Sequence, residues 1–187
     1  MSNNQEGVYL ELSNNNSING NTLTFNDFGV GLNGSDYNVI KENTVTNSSC
    51  GISLYDSDSN TLEGNNVTSD SSQGIRIDYS EGNILRGNNI NGNDYNFAVY
   101  GESLSDFIQD IDASNTVDGR SICYWVTQYN KQVSADVGYV AIVNSTSITV
   151  RDLNLTKNGQ GVLFVHVTNS TIENVNATNN FEGICLK

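Results

Sequence analysis

Apolar residues in this chain come in short pairs separated by one residue: Val8 and Leu10, Val30 and Leu32, Ile52 and Leu54, Ile75 and Ile77. A spacing of i and i+2 turns both side chains to one face of an extended strand, whereas a helix would bring them back every three or four residues. Two further sets stand singly in polar sequence: Ile18, Ile40, Leu62 and Leu85, then Leu23, Val45, Val67 and Ile90. Every one of these columns advances by 22, 22 and 23 residues.

Polar positions keep the same step. Gly7, Gly29, Gly51 and Gly74 precede the pairs, and Gly138, Gly161 and Gly183 resume the pattern at intervals of 23 and 22. Ser13, Ser35, Ser57 and Ser80 form one column. Asn16, Asn38, Asn60 and Asn83 form a second, and Asn21, Asn43, Asn65 and Asn88 a third. The single extra residue of the 23-residue step falls in "TSDSSQ", residues 68–73.

The pattern predicts three short strands per unit, over 51–55, 60–63 and 65–68 in the third. Such a unit is too small to enclose a core, but stacking units in register buries a continuous one, with neighbouring rungs about 4.8 Å apart. The predicted fold is therefore all-β, a parallel β-helix. Asparagine suits its corners, because it tolerates turn conformations and carries both donor and acceptor for bonds between rungs. The repeated glycine marks a corner that requires a positive φ or has no room for a Cβ.

The repeat lapses in the middle. "FAVYG", residues 97–101, places Phe97 at the glycine position, and residues 113–140 exceed one rung and hold the one tryptophan. That stretch is expected to form a strand pair or a covering flap. Tyr124 and Trp125 within it are candidates either for packing or for stacking on sugar. Beyond Gly138, Ile148 and Leu153 stand where earlier rungs carry Asn, so apolar stacks replace those ladders. The expected organisation is one domain over 1–187, with regular rungs over 7–96 and 138–187 and an irregular stretch over 97–137. The last strand, "GICLK", enters a new rung with no visible cap, which suggests a piece of a longer repeat protein.

Composition narrows the function. With 21 Asp and Glu against 8 Lys and Arg, the net charge is −13, which repels nucleic-acid phosphate. No apolar run is long enough to span a membrane. "MSNNQEG" is not a signal peptide. Cys50, Cys123 and Cys185 are odd in number and show no CxxC spacing, so packed or free thiols are expected. Copper would need clustered Cys, Met or His, but the chain has one histidine, His166, and one methionine.

Acidic residues carry the remaining chemistry. Asp36, Asp58 and Glu81 occupy equivalent positions above Asn14, with Asp56 and Asp78 near them. Stacked carboxylates repel, so these five are candidates for calcium, the one cofactor the sequence allows. Asp36, Asp58 and Glu81 are also the candidate catalytic acids of a glycoside hydrolase, whose carboxyls stand about 5–10 Å apart. Any repeat with an acidic column would meet that spacing, and a solvated acidic face with no cofactor is the favoured reading. Sequons at Asn15, Asn33, Asn47, Asn66, Asn144, Asn154, Asn169 and Asn176 suit a glycosylated surface protein but also arise by chance in such a composition.

The unit "G-apolar-x-apolar…S-x-x-N-x-apolar-x-x-N-x-apolar" resembles the right-handed parallel β-helix repeats of NosD-like proteins, within the wider carbohydrate-binding and sugar-hydrolase group of β-helices. "NTVDGRSICYWV" followed by "GYVAIVNSTSITVRDLNLTKNGQGVLF" resembles segments of archaeal, especially methanogen, cell-surface proteins. The resemblance implies a right-handed three-stranded solenoid with rungs of about 22–23 residues, located outside the cell. It also implies one of three roles: a non-catalytic structural or adhesive surface module; a polysaccharide-binding or polysaccharide-cleaving protein; or, as for the family's namesake, periplasmic copper delivery to nitrous oxide reductase. Polysaccharide or other cell-envelope proteins are the partners it suggests. Fold alone does not choose among these.

Overall fold

The computed structural model describes residues 1–187 and is all-β apart from one turn of 3-10 helix at Ser105–Phe107. The third rung shows the expected three strands, at Cys50–Tyr55, Thr61–Glu63 and Asn66–Thr68. Corresponding strands of successive rungs pair in parallel, so five long strands form one sheet and the shorter strands form two more. The columns meet in register: Val8 with Val30, Val30 with Ile52, and Ile52 with Ile75. Their side chains, with Leu62, Val67 and their equivalents, fill one continuous core.

Register corrects one expectation. Ile75 pairs with Phe97, so Phe97 belongs to the core column and Asn96 stands at the glycine position. Asn96 is fully buried, and its Oδ1 accepts both the backbone N–H and the side-chain amide of Asn93.

Space, rather than backbone conformation, explains the glycine column. Gly51 does not adopt a positive φ, but a Cβ there would sit 2.3 Å from Val67 Cγ1 and 2.5 Å from the Gly74 carbonyl oxygen. The left-handed conformations fall at the corners instead, for example at Tyr37, Ser59 and Gly82 in successive rungs. Gly51→Ala is accordingly expected to destabilise by about 2–3 kcal/mol through overpacking. Chemical denaturation measures this, and an unchanged midpoint would contradict the steric account.

The ladders use mainly backbone donors. Ser13, Ser35 and Ser57 each donate their N–H to the hydroxyl oxygen one rung on, at 2.9–3.0 Å. In the Asn16 column each backbone N–H donates to the next asparagine's Oδ1, at 2.7–2.8 Å, and no amide-to-amide bond forms. In the Asn21 column the amide nitrogens also donate to the next Oδ1 and, from Asn43 onward, to a carbonyl of the preceding rung. The rungs are thus bonded at their corners as well as along their strands.

Residues 97–137 do what periodicity could not foretell. Asp118 and Gly119, at φ 47° and 76°, reverse the chain. Arg120–Val126 then pairs antiparallel with Thr116–Val117, the strand pair expected of this stretch. The strands Val137–Val143, Gln160–Val165 and Glu182–Leu186 follow in parallel, extending the third sheet to nine strands. These strands begin a second stack of coils. Tyr139, not Gly138, lies opposite Gly161, because Val140 pairs with Val162. Gly138 instead lies against Val117, where a Cβ would meet its carbonyl oxygen at 2.6 Å.

Val137–Val143 and Gln160–Val165 are buried at every residue. Continuous apolar runs of this kind belong to strands covered on both faces. Tyr139, Ala141, Val143, Leu163 and Val165 join the core of the first stack, with Phe97 and Phe107. Val140, Ile142, Val162 and Phe164 face a second core with Ile148, Val150, Leu153 and Leu155. The apolar replacements at Ile148 and Leu153 are thereby accounted for. Gly159 N donates to Phe97 O at 2.9 Å and Asn96 N to Lys157 O at 2.6 Å. These two bonds satisfy part of the free edge of Tyr95–Tyr100, and the second stack closes the end of the first.

A groove on the long-strand sheet as candidate functional site

The acidic column is built into the ladder. Asp36 Oδ1 accepts the N–H of Asp58 at 2.8 Å, and Asp58 Oδ1 accepts that of Glu81 at 2.7 Å. Asn14 begins the series by accepting from Asp36. Partial burial raises the Asp58 carboxyl above its usual range; the Glu81 N–H opposes this and the charges of Asp36, Glu81 and Asp56 add to it. Asp56 is exposed at a corner with φ 48°, near enough to add its charge to Asp58 but outside the ladder. Asp78 lies apart, on the outer face of the long-strand sheet. The five acidic candidates therefore do not converge, and no three His, Cys, Asp or Glu side chains are placed to hold a metal.

The aromatic candidates separate too. Tyr124 is 6% exposed and donates its hydroxyl to Phe107 O at 2.8 Å, so it has no face open to a sugar. Burial pushes its hydroxyl pKa far up. Trp125 is half-buried against the second core, with Lys131 Nζ 5.3 Å from its ring centroid. All three cysteines are free. Burial pushes the Cys50 and Cys123 thiols up to about 12, and raises Cys185 less.

What the structure does assemble is a groove of about 570 Å³ across the outer face of the long-strand sheet. In a strand the residue between two core-facing side chains points outward. Here that outward column runs Tyr9, Gly31, Ser53, Arg76. The two small residues leave a depression between Tyr9 and Arg76, spanning three rung steps or about 14 Å. Phe28 and Cys50 wall it on one side, and Asn33 and Tyr55 on the other. Tyr9, Phe28 and Tyr55 remain substantially exposed, and Tyr55 is held edge-on by Tyr79, 5.7 Å between centroids.

One end of the groove carries a built polar centre. Arg76 Nε donates to Asp78 Oδ2 at 2.5 Å and Nη1 to Gln73 Oε1 at 3.2 Å, and the guanidinium lies 5.1 Å over the Tyr100 ring. Asp78 is 4% exposed, and its Oδ1 is buried without a hydrogen-bond partner. Burial raises the Asp78 carboxyl above its usual range, and Arg76 draws it back. Burial likewise pushes Tyr100 up to about 12. Sequence reasoning named Asp78, Cys50 and the sequon Asn33 separately but did not bring these residues together. The available signal was the outward column itself, where small residues interrupt two large ones.

Residues 1–118 match a sequence family described as "Periplasmic copper-binding protein (NosD)". No curated protein and no solved structure matches the chain. Copper takes thiolate, thioether and imidazole donors. His166 is exposed on the second stack, two of the three thiols are buried, and no cluster of such donors forms, so these residues do not fit a copper centre. No helix is long and apolar enough to cross a membrane.

Proposed function

The chain belongs to the NosD family, and from that premise we propose that it is a non-catalytic adhesive module of the cell envelope that binds polysaccharide in the groove of its long-strand sheet. The observation that carries this is the groove: exposed aromatic faces and fixed polar groups lining a depression on a rigid sheet. Aromatic side chains offer large contact area with little loss of freedom, and flanking polar groups orient the ligand. Parallel rungs repeat the same surface along one axis, which suits an extended polymer better than a compact molecule.

A cleaving enzyme has less support. The Asp36 and Asp58 carboxyls bridge rungs by accepting backbone N–H groups, Glu81 ends that series as a backbone donor, and the partner of Arg76 is Asp78. A location outside the cytoplasm agrees with the periplasmic description of the family.

Ser53 is half-exposed on the groove floor and outside the core. Ser53→Trp is therefore expected to fill the groove, weaken glycan binding at least tenfold and leave the melting temperature within a few degrees. Glycan-array screening followed by calorimetry on both proteins tests this. Failure to bind any polysaccharide, or binding untouched by the tryptophan, would rule the proposal out.

A further inference from the structure

We infer that the Arg76–Asp78 pair makes the groove selective for neutral, hydroxyl-rich glycans against acidic ones, an inference that rests on the polysaccharide-binding role proposed above. The pair is the one place in the groove where a charged side chain is held from several sides. Arg76 is fixed by Asp78 Oδ2, by Gln73 Oε1 and by the face of Tyr100. Its Nη2 makes no hydrogen bond, and the side chain is 41% exposed. A planar donor fork with free N–H groups, already ordered by three neighbours, loses little freedom when it binds a ligand.

Charge decides the ligand class. The ionisable side chains of opposite sign along the groove are Glu6, Asp27 and Asp78 against Arg76 alone, on a chain of net charge −13. A uronate would gain one contact, with a cation whose charge Asp78 already offsets, and would meet two further carboxylates. A neutral sugar avoids this penalty, and its hydroxyls can accept from Nη2 while donating elsewhere. Asp78 Oδ1 is buried and unpaired, so Arg76 is the one side-chain partner of this carboxylate. Arg76 is thus the residue in contact with sugar, and Asp78 the residue that positions it and cancels its charge.

Three variants test this on the intact chain, with glycan binding measured by calorimetry against a neutral and a uronate-containing polysaccharide. Wild type is expected to bind the neutral polymer at least tenfold more tightly than the acidic one. Arg76→Met should lower neutral binding about tenfold, and Arg76→Lys should restore little, because a point charge lacks the planar fork. Asp78→Asn leaves the guanidinium uncompensated, so uronate binding should rise while neutral binding falls. A role of Asp78 in folding alone would weaken binding of both polymers together. Arg76 is half-exposed, so its variants carry the test should Asp78→Asn fail to fold. If wild type binds polysaccharides without preference, or the Arg76 variants keep the preference, the selectivity inference fails while glycan binding stands. If wild type binds none, the proposed function fails as well.

Discussion

Asp70→Asn is expected to stabilise the protein strongly at pH 8 and hardly at all at pH 4. Asp70 occupies a corner column otherwise made of neutral groups. Asn26 N–H donates to Ser48 Oγ, Ser48 N–H to Asp70 Oδ1 at 2.7 Å, and Asp70 N–H to Asn93 Oδ1 at 2.8 Å. In the same column the Asn93 amide nitrogen donates to Val67 O, 26 residues back, and that of Asn26 to Met1 O, 25 residues back. Asp70 presents Oδ2 where Asn26 and Asn93 present an amide nitrogen, and Oδ2 is buried with no partner. By register the carbonyl it faces is that of Val45. Two acceptors oppose one another unless the carboxyl keeps its proton.

Burial accordingly pushes the Asp70 carboxyl up to about 7, against the pull of the Ser48 N–H. An unfolded aspartate titrates near pH 4. The folded state therefore holds the proton more tightly, and the stability this confers is full below about pH 4. It declines as pH rises to about 7 and is flat above that. Asparagine never ionises and supplies the missing donor to Val45. At pH 8 the gain should be on the order of 2–4 kcal/mol, or about 5–15 °C in melting temperature. At pH 4 it should shrink to about 1 kcal/mol or less, the worth of one hydrogen bond. Thermal and urea unfolding at both pH values measure it. An equal gain at both, or none at pH 8, would show that Asp70 is not protonated in the fold.

The second large effect is a substitution that the chain itself makes elsewhere. Asn65→Leu is expected to cost about 3–5 kcal/mol, although Leu153 occupies the equivalent corner of the second stack. Asn65 Oδ1 accepts the backbone N–H and the amide of Asn43, and its own amide donates to Ile40 O and Asn88 Oδ1. Leucine would leave buried groups on both neighbouring rungs unpaired. Leu153 meets no such neighbours, because it packs beside Val175 in an apolar cluster. Leu153→Asn should therefore also destabilise, by burying an amide beside apolar side chains. Urea denaturation of the two variants provides the check. An Asn65→Leu protein within 1 kcal/mol of wild type would mean that the ladder contributes only shape.

Much of this was legible from residue identity alone. Apolar pairs at i, i+2 recurring at a constant step specify strands and stacking, because each rung can bury its face only against an identical one. Asn60 and Asn65 were legible as ladder residues for the same reason, since a buried amide at a repeated corner must bond to its own copies. The acidic candidates were ambiguous by the same logic. Asp36 and Asp58 repeat because their oxygens bridge rungs, and repetition by itself does not separate a ladder from a binding site.

What the sequence alone determined is therefore the coil: its period, its strands, its inward residues and its polar corners. These depend on contacts between a residue and its equivalent one turn away. The tertiary structure alone decided where the coils go after the reversal at Asp118 and Gly119, and which outward residues share a surface. A turn states that the chain reverses, not which sheet the next strand joins. That choice followed from burial on both faces of Val137–Val143, which covers the open end of the first stack and buries Tyr124. The groove likewise exists only after stacking, because Gly31 and Ser53 form a depression only once Tyr9 and Arg76 stand on either side of them.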